Sequence, residues 1–174
     1  MNLERITNID HPMYKDAIKL YKMSFPLHEQ RETPSQSAII SNKSYHFDII
    51  FENGVFAGKI LYWEANNFFY IEHFCILPEM RNKCYGQRAL TLLKGKKLIL
   101  EIDPPNDEIS IRRKGFYERC GLRQNPYLHI HPPYHREDNG HRLVIMSSQR
   151  KLTAEEYSQF NDFLQNTVMK DAFI

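Results

Sequence analysis

Asn53-Gly54 narrows the possible folds more than any other feature of this chain. Both residues tolerate positive φ, which a two-residue hairpin turn demands. The pair separates two runs with strand character, residues 45–52 and 55–63. A third such run, residues 68–77, follows the polar pair Asn66-Asn67, a second turn. Three strands joined in this way make an antiparallel meander.

Helical patterns flank the meander. Residues 13–23 place Ala17, Leu20, Tyr21 and Ser24 on one face, and Phe25-Pro26 ends the helix because proline cannot continue the ladder. A second helix is expected from Thr33-Pro34, with Thr33 as cap and Pro34 in the first position. A short first strand is expected over residues 4–9. Beyond Pro78 the pattern predicts a helix over 85–93, a strand over 97–102, a helix over 107–120 closed by Gly121, and strands over 124–130 and 142–148. Thr153-x-x-Glu156 is a capping box that opens a last helix, with Tyr157, Phe160, Phe163, Leu164 and Val168 on one stripe. The expected architecture is α+β: a mixed, mostly antiparallel central sheet flanked by helices. It forms one domain over residues 1–174, with 151–174 a C-terminal helical extension whose stripe could meet a second subunit.

Composition sets bounds. A chain of 174 residues suits a single domain. Its 23 Lys and Arg against 21 Asp and Glu give a net charge of +2, too small to argue for nucleic acid. No apolar run approaches the ~20 residues needed to cross a bilayer, so no membrane partner is expected. No apolar segment follows Met1-Asn2-Leu3-Glu4-Arg5, and Cys75, Cys84 and Cys120 are an odd, widely spaced set. Free thiols in a reducing cytoplasm are expected.

Two segments carry chemistry. In the first, the run ending at Cys75, Ile76 and Leu77 meets Pro78, then the basic loop Arg81-Asn82-Lys83-Cys84, then the start of a helix at Tyr85, Gly86 and Gln87. Unpaired amides at such a junction, together with the helix dipole, form an anion site. Gly86 lets the backbone approach a bulky anion, and Arg81, Lys83 and Arg88 add positive charge. A pyrophosphate is the natural guest. The second segment is Phe116-Tyr117-Glu118-Arg119-Cys120-Gly121-Leu122, where Tyr117 reads either as a core aromatic or as a phenol able to reprotonate a departing thiolate.

Together these segments resemble the GNAT superfamily of N-acetyltransferases. Its pattern of a strand, [QR]-x-x-G-x-[GA] and a helix is matched by Arg81-Asn82-Lys83-Cys84-Tyr85-Gly86. A later F-Y-E-K-x-G-F-like helix end is matched by Phe116 to Leu122. The order of elements fits from about residue 3 to residue 149. The chain departs from the pattern at Cys84, which holds the place of the first glycine. It departs again at Ser110, where many relatives carry an asparagine that contacts the cofactor.

The resemblance implies acetyl-CoA as co-substrate, no metal, and direct attack by an amine on the thioester. It implies that the fourth strand is bulged and splays from the fifth. The backbone at Cys75, Ile76 and Leu77 would then hold the pantetheine arm, and residues 81–87 with Ser110 would hold the nucleotide end. Tyr117 would be the acid. The base would be Glu72, expected in phase with Phe74 and Ile76, or a water chain. The acceptor, a small-molecule or peptide amine, would meet Glu29 and a wall of Tyr127, His131 and Tyr134. Monomer and homodimer are both open. A non-catalytic acyl-CoA sensor on the same fold is the alternative, and a nucleic-acid contact through Arg112, Arg113 and Lys114 is a third reading.

Overall fold

The structure, a computed structural model, describes residues 1–173. The expected three-stranded meander is β2 (Tyr45–Glu52), β3 (Val55–Glu64) and β4 (Phe68–Ile76), and β1 (Asn2–Ile6) adds antiparallel to its β2 edge. Asn53 and Gly54 both have positive φ, 52° and 77°, as their turn demands. β4 then runs parallel to β5 (Lys97–Ile102). The sheet is completed by β6 (Leu122–Gln124), β7 (His129–His131) and β8 (His141–Ser148), and its main order is β1-β2-β3-β4-β5-β8-β6.

Helices cover both faces. On one lie α1 (Tyr14–Ser24), α2 (Thr33–Ile39) and α5 (Ala154–Phe163), around a core that includes Tyr21, Phe47, Trp63, Tyr70 and Phe160. On the other lie α3 (Tyr85–Leu90) and α4 (Glu108–Arg119), around Ile60, Ile71, Leu100, Tyr117 and Met146. Among the described residues no helix is long and apolar enough to cross a membrane.

Several boundaries differ from the sequence expectation. β1 lies nearer the N-terminus because its register with β2 sets Ile6 opposite Phe47 in the core. Thr33 is already helical, and Glu32 occupies the cap position of α2. The single strand expected over 124–130 is split in two. Pro126 cannot donate to a ladder, and the buried Asn125 side chain turns inward to bond Ser147 Oγ (2.9 Å) and accept from the Leu152 amide (2.7 Å). The capping box of α5 is present, with Glu156 N–H donating to Thr153 Oγ1 and Thr153 N–H to the Glu156 carboxylate. Its apolar stripe closes on the chain's own sheet: Phe160, Leu164 and Val168 are fully buried, and Phe160 packs edge-on to Tyr70. Tyr157 and Phe163 of the same stripe are partly buried.

Two irregularities in β4 shape the site. Its pairing with β5 runs only from Phe68–Lys97 to Ile71–Leu100, after which the strands part. At the same level its register with β3 slips: Tyr62 pairs with Ile71 and Leu61 with His73, leaving Glu72 as the extra residue of a bulge.

Candidate active site

A cavity of about 900 Å³ opens where β4 and β5 separate, running from the acceptor-side loops to the start of α3. Bulges commonly re-aim side chains at such places. Here the slip puts both Glu72 and His73 on the α1 face, while Phe74 and Ile76 pack on the opposite face. Glu72 is therefore not in phase with Phe74 and Ile76. Its carboxylate accepts from Arg31 Nη2 (2.8 Å), Trp63 Nε1 (2.8 Å) and the Tyr134 hydroxyl (2.9 Å). Burial pushes its pKa up, but the Arg31 guanidinium and the surrounding donors outweigh this and hold it at about 2. A carboxylate so acidic and so fully bonded is a poor proton acceptor. The geometry makes it an anchor for Arg31 and Tyr134 in place of the expected base.

One end of the cavity is built from the loop before α3. Arg81, Asn82, Cys84, Tyr85, Gly86 and Gln87 line the cavity. The first amides of α3 lack partners within the helix. Arg81 Nε donates to the Ile76 carbonyl (3.2 Å), and the Leu77 N–H is bonded to Ala57 O (2.9 Å). Alternation along the ladder then turns the Ile76 N–H toward the gap, so Ile76, more than Cys75 or Leu77, has a free strand amide there. Gly86 has a packing reason as well, since a Cβ there would sit 3.1 Å from Phe116 Cζ. Leu77, Lys83 and Ser110 do not line the cavity. The Ser110 hydroxyl is instead occupied in the α4 capping box, accepting from the Asp107 N–H (3.1 Å) and donating to Asp107 O (3.0 Å).

Cys84 does not keep a helical backbone. Its φ of 58° and ψ of 11° are left-handed, the region where glycine is favoured, and Asn82 is left-handed too. Cys84→Gly is expected to raise stability by about 0.5–1 kcal/mol, because it relieves the Cβ clash of this conformation and returns only part of that as chain entropy. Urea unfolding midpoints would check this, and a loss of stability would contradict it.

Tyr117 is buried in the cavity wall, and burial pushes its pKa up to about 12. At the other end Glu29, His131 and Tyr134 line the cavity, but Tyr127 does not. Its ring stacks on Tyr157 (4.1 Å), and its hydroxyl donates to Leu152 O (2.9 Å) beneath α5. The site also contains residues to which the sequence reading gave no role: Arg31, His73 and Glu101. An acid within the apolar run Leu98-Ile99-Leu100-Glu101-Ile102 was the one available signal. Arg112, Arg113 and Lys114 are each paired with an acid, Glu108 (2.7 Å), Asp103 (2.6 Å) and Glu118 (3.7 Å), so they form no free basic patch. Among the described residues no cluster of three or more His, Cys, Asp or Glu is arranged to hold a metal.

Comparison with known proteins adds to this geometry. The family model described as acetyltransferase (GNAT) matches residues 4–122. A solved chain from Bacteroides thetaiotaomicron, assigned to the GNAT family, is 31% identical over 97% of this chain and 98% of its own, with a TM-score of 0.89. The Escherichia coli ribosomal-protein-S18-alanine N-acetyltransferase superposes with a TM-score of 0.59 at 15% identity, over 88% of this chain and 96% of its own. An aminoglycoside 6'-N-acetyltransferase solved with coenzyme A gives 0.58 at 13%, over 85% and 96%. The last two are alike in fold alone. No curated protein matches the sequence.

Proposed function

Because this chain belongs to the GNAT family of acetyltransferases, we propose that it transfers the acetyl group of acetyl-CoA to the nitrogen of a small-molecule or peptide amine by direct attack. The family supports acyl transfer, and the carrying observation for this particular reaction is the cleft itself. The free edge of β4 beyond Ile71, the loop 81–87 and the buried Tyr117 lie along one continuous cavity. An extended pantetheine arm suits a strand edge whose partner has moved away, pairing at the Ile76 N–H. A diphosphate suits the loop amides with Arg81 beside them.

Tyr117 keeps its proton at neutral pH because burial disfavours the phenolate. A thiolate expelled into the same dry wall is raised in basicity for the same reason, so the phenol can protonate it. At the other end Glu29 and Asp103 face the cavity. The Glu29 pKa is raised first by burial and then by the Asp103 charge, and an ammonium beside Glu29 would offset both. This favours an amine as acceptor. The reading takes residues 1–174 as one catalytic domain acting in the cytoplasm, in keeping with three free cysteines.

The test measures thiol release from acetyl-CoA against a panel of primary amines and amino-terminal peptides, alongside calorimetric binding of coenzyme A. Tyr117→Phe is expected to lower kcat about 100-fold while leaving coenzyme A binding intact. Tight binding with no thiol release from any amine would mark a sensor instead of an enzyme. An absence of binding would remove the reading altogether.

A further inference from the structure

His131, in β7, has its ring buried at the acceptor end of the cavity, 2% exposed. Its Nδ1 lies 2.5 Å from the Pro132 carbonyl. A carbonyl can only accept, so Nδ1 carries a proton, and in the neutral ring the lone pair lies on Nε2. That Nε2 has no hydrogen-bond partner. The group facing it is Glu101 Oε2, 3.8 Å away on β5. The Glu101 carboxylate is fixed by the Tyr70 hydroxyl (2.5 Å) and by a bond to His129, whose Nδ1 in turn meets the Tyr157 hydroxyl (3.1 Å). Two lone pairs facing each other are unfavourable, and a proton placed on Nε2 would satisfy both sides.

Resting on the amine acylation proposed above, we infer that His131 is the general base for the acceptor amine and that Glu101 supplies the counter-charge to the imidazolium it becomes. The acceptor first gives its ammonium proton to solvent; the neutral amine nitrogen then forms a bond to the thioester carbonyl carbon, and the proton it sheds on bonding passes to His131 Nε2. The C–S bond breaks, and the thiolate takes the Tyr117 proton. The proton on His131 then returns through water to the Tyr117 phenolate, so the enzyme is restored. His129 and Tyr70 are positioning residues, since they hold Glu101 and do not touch the reacting atoms. The other titratable groups facing His131 are Tyr134 (ring centroids 4.9 Å), His141 on β8 (5.8 Å) and Glu29, whose carboxyl feels its charge.

His73 is the competing candidate, because its Nδ1 is also without a partner. Its ring, however, is edge-on to Tyr21 (4.9 Å) and Phe25 (4.7 Å), and its Nε2 already meets the Glu29 carbonyl (2.8 Å). Burial holds its pKa near 4, too low for efficient proton abstraction at neutral pH.

The experiment uses the full chain with acetyl-CoA and n-butylamine as a generic primary amine, and follows kcat and KM against pH. Long-range nitrogen-15 spectra of the labelled histidines are recorded in parallel. His131→Gln is expected to lower kcat about 100-fold and abolish the acidic limb of the profile, with the KM for acetyl-CoA within about twofold of wild type. Glu101→Gln is expected to lower kcat about 10-fold with the KM for acetyl-CoA unchanged, because it removes the counter-charge to the imidazolium. The spectra are expected to show the resting His131 protonated on Nδ1 and bare on Nε2. His131→Ala regaining activity with added imidazole would support the role even if that variant is less stable.

A limb that survives in His131→Gln but disappears in His73→Gln would overturn the assignment, as would a resting Nε2–H. If wild type turns over and His131→Gln matches it at every pH, this assignment alone fails. If wild type binds acetyl-CoA but releases no thiol with any amine, the acylation reading fails and takes this one with it.

Discussion

Arg31→Met is expected to cost about 3–5 kcal/mol of folding stability, because it leaves the Glu72 carboxylate buried without its counter-charge. Both side chains are only 1% exposed. Arg31 also donates to Val168 O (2.9 Å) and Ser35 Oγ (3.2 Å), and its own N–H bonds the Tyr21 hydroxyl (2.8 Å). One guanidinium therefore ties α2, the bulge of β4 and the C-terminal segment together. The pH dependence gives the sharper check. In wild type the Glu72 pKa is depressed below its usual 4.5, so its stabilisation is present above about 4.5 and is lost as pH falls toward 2. Without Arg31 burial is opposed only by the Trp63 and Tyr134 donors and the His73 ring, the folded pKa rises, and the stability gained on raising the pH shrinks. The two denaturation curves should therefore converge on acidification. Arg31→Met combined with Glu72→Gln should recover part of the loss. Equal destabilisation at pH 3 and pH 8 would contradict this account.

Lys59→Met is expected to act in the opposite direction, stabilising the fold by about 2–3 kcal/mol at neutral pH. Lys59 is fully buried in β3, and its Nζ has no hydrogen-bond partner. It lies 3.9 Å from the centre of the Tyr21 ring. Burial lowers its pKa from 10.5 to about 7. The unfolded chain thus binds a proton that the native state holds weakly, so wild-type stability rises with pH from about 7 to 10.5 and carries the full penalty below 7. The penalty is on the order of 4 kcal/mol at pH 7, and the contact with the Tyr21 face offsets some of it. Methionine fills a similar volume without an amine. The variant should melt higher at pH 6 to 7 and lose the slope between pH 7 and 10.5, and calorimetric scans across that range would show both. A variant less stable than wild type at pH 6 would mean that the ammonium is solvated or paired in the native state.

The parts of this protein that could be read ahead of the structure are those governed by neighbours in the chain. Asn53-Gly54, Thr153 with Glu156, Gly121 and Pro78 act through φ preferences and hydrogen bonds spanning one to four residues. They place the turns and helix ends almost to the residue. The strand, basic loop and helix after Ile76 and the aromatic pair at Phe116-Tyr117 are likewise contiguous, so one end of the cavity and the phenol in its wall were legible. Misreadings arise where a local group has a second use. The Ser110 hydroxyl closes a cap, Tyr127 stacks beneath α5, and Cys84 turns left-handed.

The acceptor end was set by register and long-range contact. A one-residue slip between β3 and β4 turned Glu72 away from Phe74 and toward an arginine 41 residues earlier in the chain. Glu101 meets His129 only because β7 and β5 both pair with β8. No periodicity records such pairings, since a strand's alternation is the same whichever partner it finds and a bulge leaves no mark in composition. Which acids are neutralised, which histidine is left with a bare nitrogen and which lysine is stripped of water depend on the field of the folded chain, which exists only once distant segments have met.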